Sequence, residues 1–306
     1  MAAAFEMKPT LLRSDMHYWV LKPDARLSSQ VLCYFVTKAT DAPMPAASSR
    51  SDYALLLPDG YSELVLNFRS AYERWNIEDE RRRTIMQRSY LIGGRSHSVL
   101  TRALGKLEIV GAKLDPRALR MLIGVPLSEF RDATLSLDDL NHRPLLELEE
   151  AVANAKSVPE IARILDRFFL KALADRQARQ PAIDRLVRRV RQQRGALSIM
   201  EWMQEERVDP RNFERRFCAW MGMTPKRYAR VVRFKHGYMR WLSRASCPGR
   251  PKPHLEDYYD QSHFSRDFKY FTGIGPRERA HKIIREDTDI TDHLLREELG
   301  REGTRK

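Results

Sequence analysis

Short runs of β-branched and aromatic residues, set apart by turn formers, fill the first 125 residues; beyond them the apolar positions recur at helical spacing. The runs His17–Leu21, Val31–Thr37, Tyr53–Leu57, Glu63–Phe68, Thr84–Ile92 and Lys106–Ala112 predict strands, with turns at Pro58-Asp59-Gly60 and Gly93-Gly94. Strands at this density favour a sandwich or small barrel over a parallel α/β sheet. The Pro/Ala/Ser-rich stretch 41–52 reads as a loop. Pro116 opens a short helix through Met121 that Gly124-Val125-Pro126 ends. From Pro144 to about Arg179 the stripe Leu145, Leu148, Val152, then Ile161, Leu165, Phe168, Phe169, predicts two helices, with Ser157 and Glu160 as a capping box. The polar run Asp175–Gln180 marks a domain boundary.

After Pro181, the residues Ile183, Leu186, Val187 and Val190 form one helical stripe ending at Gly195, and Ser198 with Glu201 caps a second helix carrying Ile199, Trp202 and Met203. A turn at Glu205–Val208 leads into a helix over Pro210–Met221, and a long helix from Pro225 offers Tyr228, Val231, Val232, Phe234, Tyr238 and Leu242 for burial. The breaker-rich run Cys247–Pro253 interrupts it. One motif occurs twice, 51 residues apart: Phe213-x-Arg215-x-Phe217 with Gly222, Pro225 and Lys226, then Phe264-x-Arg266-x-Phe268 with Gly273, Pro276 and Arg277. In each copy an aspartate (Asp209, Asp260) is the N-cap, phenylalanines at i and i+4 form a buried stripe, and the glycine ends the helix in a left-handed conformation. A proline opens the next helix. Two such units predict a double helix-turn-helix built to lie along a duplex.

Charge sharpens that picture. The chain of 306 residues carries a formal +13, and residues 181–285 hold 24 Lys/Arg against 11 Asp/Glu while 1–180 hold 26 against 23. The excess therefore sits with the repeat, where counterion release from a polyanion would supply affinity. Cys33, Cys218 and Cys247 are scattered, without the paired spacing of a zinc site or disulfide framework. The start MAAAFEMKPT has no basic-then-apolar leader and no long apolar run follows, so a soluble, cytoplasmic chain is expected.

The face opposite the phenylalanine stripe carries the candidate base and phosphate contacts. In the proximal copy these are Arg211, Asn212 and Arg215; in the distal copy Gln261, Ser262, Ser265, Arg266 and Lys269. Arginine can bond a guanine edge bidentately, Asn or Gln can do so with adenine, and lysine suits phosphate. For Arg215 and Arg266 the competing role is an ion pair with Glu214 or Asp267.

These residues carry a resemblance. Tyr258-Tyr259-Asp260-Gln261-Ser262-His263-Phe264-Ser265-Arg266-Asp267-Phe268-Lys269, then Phe271-Thr272-Gly273, resembles the second helix-turn-helix of AraC-type transcriptional regulators. The stretch Asn212–Phe217 with Gly222-Met223-Thr224-Pro225 resembles the first. The likeness implies an α+β chain of three parts. Residues 1–175 would be a β-barrel or sandwich-like sensor-type domain for effector binding or dimerisation, 181–285 an all-α double helix-turn-helix DNA-binding domain, and 286–306 a polar tail. Leu57-Pro58-Asp59-Gly60 with Glu63-Leu64, and Leu122–Leu127 leading to Leu137 and Leu140, are the similar stretches of the first part. What it implies is a bacterial regulator whose partner is double-stranded DNA, with room for a small-molecule effector and a homodimer, and with no cofactor, metal or membrane involved. Two departures stand out. Pro251 and Pro253 leave only about His254–Tyr258 for the helix that should precede the distal recognition helix, with Asp257 in a glycine place, and Glu205-Glu206-Arg207 replaces small residues in the proximal turn.

Three other readings compete. A small-molecule-binding or metal-dependent, cupin-like enzyme domain fused to a degenerate helix-turn-helix would draw on His17, His97, His142 and Glu63, but they lack ligand spacing and no nucleophile or phosphate-loop motif is present. An RNA binder would expose aromatics on a sheet, whereas those of the basic region fall at buried helical positions. A regulator whose N-terminal half serves assembly alone is the third.

Overall fold

The computed structural model of the protein describes residues 10–13, 16–40, 53–77, 79–173, 180–245 and 258–279. The expected loop at 41–52, positions 175–179 of the boundary run, the breaker run at 247–253, the shortened helix at 254–257 and the tail at 286–306 lie outside them.

The N-terminal part is two antiparallel sheets. The larger joins β1 (Thr10–Arg13), β2 (Met16–Leu21), β3 (Val31–Ala39), β10 (Glu108–Leu114), β5 (Ser62–Asn67), β8 (Tyr90–Ile92) and β11 (Thr134–Ser136), in that order. The smaller has the order β4 (Tyr53–Leu56), β9 (Val99–Ala103), β6 (Tyr72–Asn76), β7 (Asp79–Met86). Among the described residues no ladder joins the two, so of the two expected forms the chain takes the sandwich and not the closed barrel. Sequence reasoning overlooked β1, β6, β9 and β11, and it fused β7 with β8, which Gln87-Arg88-Ser89 separates.

Helices α1 (Pro116–Ile123), α2 (Leu137–Leu140), α3 (Arg143–Ala153) and α4 (Val158–Leu173) follow. Residues of α1, α3 and α4 share a core with one face of the large sheet, where Leu64 and Leu66 of β5 meet Leu119, Leu148 and Phe169. The alternate residues Glu63 and Val65 face a cavity between the sheets. Because both faces are covered, β5 is buried throughout and shows no polar alternation.

The C-terminal part is helical: α5 (Pro181–Gln192), α6 (Ile199–Glu205), α7 (Pro210–Met221), α8 (Pro225–Ala245) and α9 (Gln261–Thr272). Among the described residues no helix is long and apolar enough to cross a membrane. Every residue of α8 expected to be buried is buried, and Phe234 stacks on Phe271 with ring centres 4.4 Å apart. The core formed here does not stop at the helices. Leu55 and Leu57 at the end of β4 belong to the same cluster as Phe217, Tyr228 and Phe234, and each buried leucine contributes about 2 kcal/mol.

An ion network around the buried Asp115 completes this contact. Asp115 caps the first turn of α1, pairs with Arg117 at 2.7 Å and forms an ion pair with Arg191 of α5 at 3.0 Å, while Arg117 reaches Asp184 of α5 at 2.6 Å. Burial pushes the Asp115 carboxyl up, but Arg191 and Arg117 outweigh it and hold the carboxyl below its ordinary value. A depressed carboxylate contributes stability above its unfolded value, about 3.9, and loses that contribution as pH falls toward the folded value. Replacing Asp115 by Asn is expected to cost about 3 kcal/mol at pH 7, because Arg191 and Arg117 lose a buried partner. Urea midpoints measured from pH 7 down to pH 3 should fall less steeply below pH 4 in the variant than in the parent.

Candidate functional site

The two repeat helices are built alike. In α7 the Asp209 carboxylate accepts from the Asn212 amide at 2.7 Å, and in α9 Asp260 accepts from the His263 amide at 2.6 Å. Each helix has 12 residues and stops at a left-handed glycine, Gly222 at φ 71° and Gly273 at φ 76°, where a side chain would be strained. Phe213, Phe217, Trp220 and Met221 are buried on one, Phe264, Phe268 and Phe271 on the other.

On the opposite faces Arg211, Asn212 and Arg215 are exposed, as are Gln261, Ser262, Arg266 and Lys269. Ser265, expected to face outward, is half-buried, since it adjoins the phenylalanine stripe. Arg215 donates to Asn212 Oδ1 at 3.2 Å, and Arg266 leans on the Ser262 carbonyl at 3.4 Å. The ion pair weighed for Arg266 goes elsewhere: Asp267 is buried and accepts from Arg230 at 2.9 Å and Arg233 at 3.3 Å, both on α8. Its place three residues after Phe264 on the buried stripe was the legible signal. In the proximal turn Arg207 takes φ 52° without a glycine, at a cost of about 1 kcal/mol.

The sheet domain grips the C-terminal end of both helices. Arg120 donates to the Ala219 carbonyl at 3.3 Å with its guanidinium over the Trp220 ring, and Arg131 donates to the Gly222 carbonyl at 2.9 Å. On α9, Ser98 Oγ donates to the Phe271 carbonyl, and His97 Nε2 lies 2.9 Å from the Tyr270 hydroxyl. Arg227 of α8 joins this point by donating to the Ser96 carbonyl and, at 2.6 Å, to Tyr270.

Between the sheets lies a cavity of about 140 Å³ walled by Tyr18, Phe35, Val65, Leu107 and Ile109. Its polar end holds two buried ion pairs, Asp59 with Lys113 and Glu63 with Arg95. Burial raises the Asp59 carboxyl, but Lys113, Lys235 and Arg95 together bring it down to about 2. Arg95 gives Nη2 to Glu63, while Nη1 is buried with no hydrogen-bond partner among the described residues. Arg74, beside it, is pulled down to about 10 by burial and by the charge of Arg95. None of these pairs was legible in the sequence, because their members stand 54 and 32 positions apart.

The residues of the enzyme reading are dispersed. His17 packs near Trp19, His97 bonds Tyr270, His142 precedes α3 and Glu63 pairs with Arg95. Among the described residues no group of three or more His, Cys, Asp or Glu side chains could hold a metal ion.

Residues 20–136 match a family profile described as a domain of unknown function, DUF6597. No curated protein matches the chain. Solved structures that resemble it include ToxT from Vibrio cholerae, at 12% identity and a TM-score of 0.44 over 76% of this chain and 95% of that one. The AraC-like transcriptional activator CuxR resembles it at 13% identity and a TM-score of 0.27, over 76% and 87%. An iron(II) HppE structure shares 12% identity and a TM-score of 0.25, over 35% of this chain and 56% of that one.

Proposed function

We propose that the protein is a sequence-specific DNA-binding transcription regulator, with α7 and α9 as recognition helices in successive major grooves. The observation that carries this reading is the pair of matched, Asp-capped helices, each presenting an exposed arginine beside polar residues able to bond base edges. The charge excess of residues 181–285 and the two helix N-termini suit phosphates on either side. Grooves one turn apart would place the two helices about 34 Å from each other along the duplex. Such a regulator works in the cytoplasm.

The sheet domain serves as the effector module in this proposal. Its cavity has an apolar body and, at one end, a guanidinium nitrogen with no acceptor among the described residues. That combination suits an apolar molecule ending in a carbonyl, hydroxyl or carboxylate oxygen.

In duplex selection from a random pool at fixed salt, the full chain should enrich a bipartite motif; a featureless pool would sink the DNA reading. Arg215→Ala and Arg266→Ala should each weaken binding to the best site by about 1–3 kcal/mol and relax one base pair, whereas Lys269→Ala should weaken all sequences alike and lower the salt slope by about 1. Fluorescence anisotropy across a salt series checks both. For the cavity, a thermal-shift screen of aliphatic and aromatic alcohols, ketones and carboxylates should give a saturable rise that Val65→Trp, which fills the space, removes.

A further inference from the structure

Both recognition helices end against the sheet domain, and in each the contact is made to carbonyls of the last turn or the cap. Helix termini leave such carbonyls without intrahelical partners, so whatever group satisfies them fixes where the helix end sits. On α7 the groups are Arg120 and Arg131, bonded to Ala219 and Gly222. On α9 it is Ser98, bonded to Phe271, with His97 holding the Tyr270 hydroxyl. Ile77 closes the site from below, since a β-carbon at Gly273 would come 2.8 Å from its Cδ1.

The segment that holds α9 is itself held. Asp132 accepts from the Ser96 amide and hydroxyl, both at 2.6 Å, and its carboxylate lies 3.6 Å from His97 Nδ1. Burial raises the Asp132 carboxyl, but nearby His97 and the bonds from Ser96 prevail and bring it to about 2, so it stays an acceptor. Arg227 ties the same segment to α8 through the Ser96 carbonyl.

From these contacts we infer that the sheet domain is a jig that sets the distance and angle between α7 and α9, with His97 and Ser98 as positioning residues for the distal helix and Arg120 and Arg131 for the proximal one. They touch no base; they decide which separation of half-sites the two helices can reach together. The inference rests on the DNA reading above and adds the determinant of spacing to it.

The test separates spacing from strength. Full-length protein is titrated with duplexes carrying the selected motif at its native separation and with one base pair inserted or removed, a shift of about 3.4 Å along the axis. The parent should prefer the native separation by about tenfold or more, and the double variant His97→Ala/Ser98→Ala by no more than about twofold, with its proximal half still protected in footprinting. Ser98→Thr, which keeps the hydroxyl, should restore the preference if His97 is intact. Should the double variant fail to fold, Tyr270→Phe, which deletes one hydroxyl, is expected to relax spacing in the same direction and decides the matter. Undiminished discrimination in a folded variant overturns the inference and leaves the DNA reading standing; a parent that binds no bipartite site overturns both.

Discussion

The burial of helix ends against the sheet domain is the constraint around which the rest of this molecule is arranged. In the proposed role α7 and α9 must each leave one face to solvent, so each has only its opposite stripe and its C-terminus with which to be anchored. The stripes are filled by phenylalanines. The C-termini, being partial negative charges, attract donors from the other domain: Arg120, Arg131 and Ser98. The left-handed glycines turn the chain away at the point where those donors approach, which is why Gly222 and Gly273 recur in register with the contacts.

The same arginine-rich composition serves two purposes, and the net charge alone conceals this. Arg191 is spent on Asp115 and Tyr228, Arg227 on Ser96 and Tyr270, and Arg230 and Arg233 on Asp267. These guanidiniums lie half-buried over Tyr61, Tyr258 and Tyr270 rings, where planar stacking and forked donors favour arginine over lysine. Part of the positive excess of the C-terminal segment thus works inside the protein. What faces outward on α7 and α9 is a smaller set: Arg211, Arg215, Arg216, Arg266 and Lys269.

Local signals were legible wherever the structure depends on neighbours in sequence. Asp209 and Asp260 cap as their spacing implies, the phenylalanines are buried, and α7 begins and ends at the residues that Pro210 and Gly222 announce. Strands β6 and β9 escaped because they violate the pattern that strands are read by: β6 buries Arg74, and β9 is five residues with an arginine. The cavity and the domain contact escaped for another reason. Pairs such as Ser98 with Phe271 or Arg131 with Gly222 are 173 and 91 positions apart, and a single sequence holds no record of such proximity. Asp267 stands between these cases, being placed by the helical period but partnered only by the fold.

Leu55 and Leu57 carry a consequence beyond stability. Because they sit in one hydrophobic cluster with Phe217, Tyr228 and Phe234, the surface where the two halves meet is interior to both. Grafting a foreign sheet domain onto these helices by recombination would set unmatched side chains into a close-packed space. A side chain on either half of this seam can therefore change size only where its neighbours across the seam change with it.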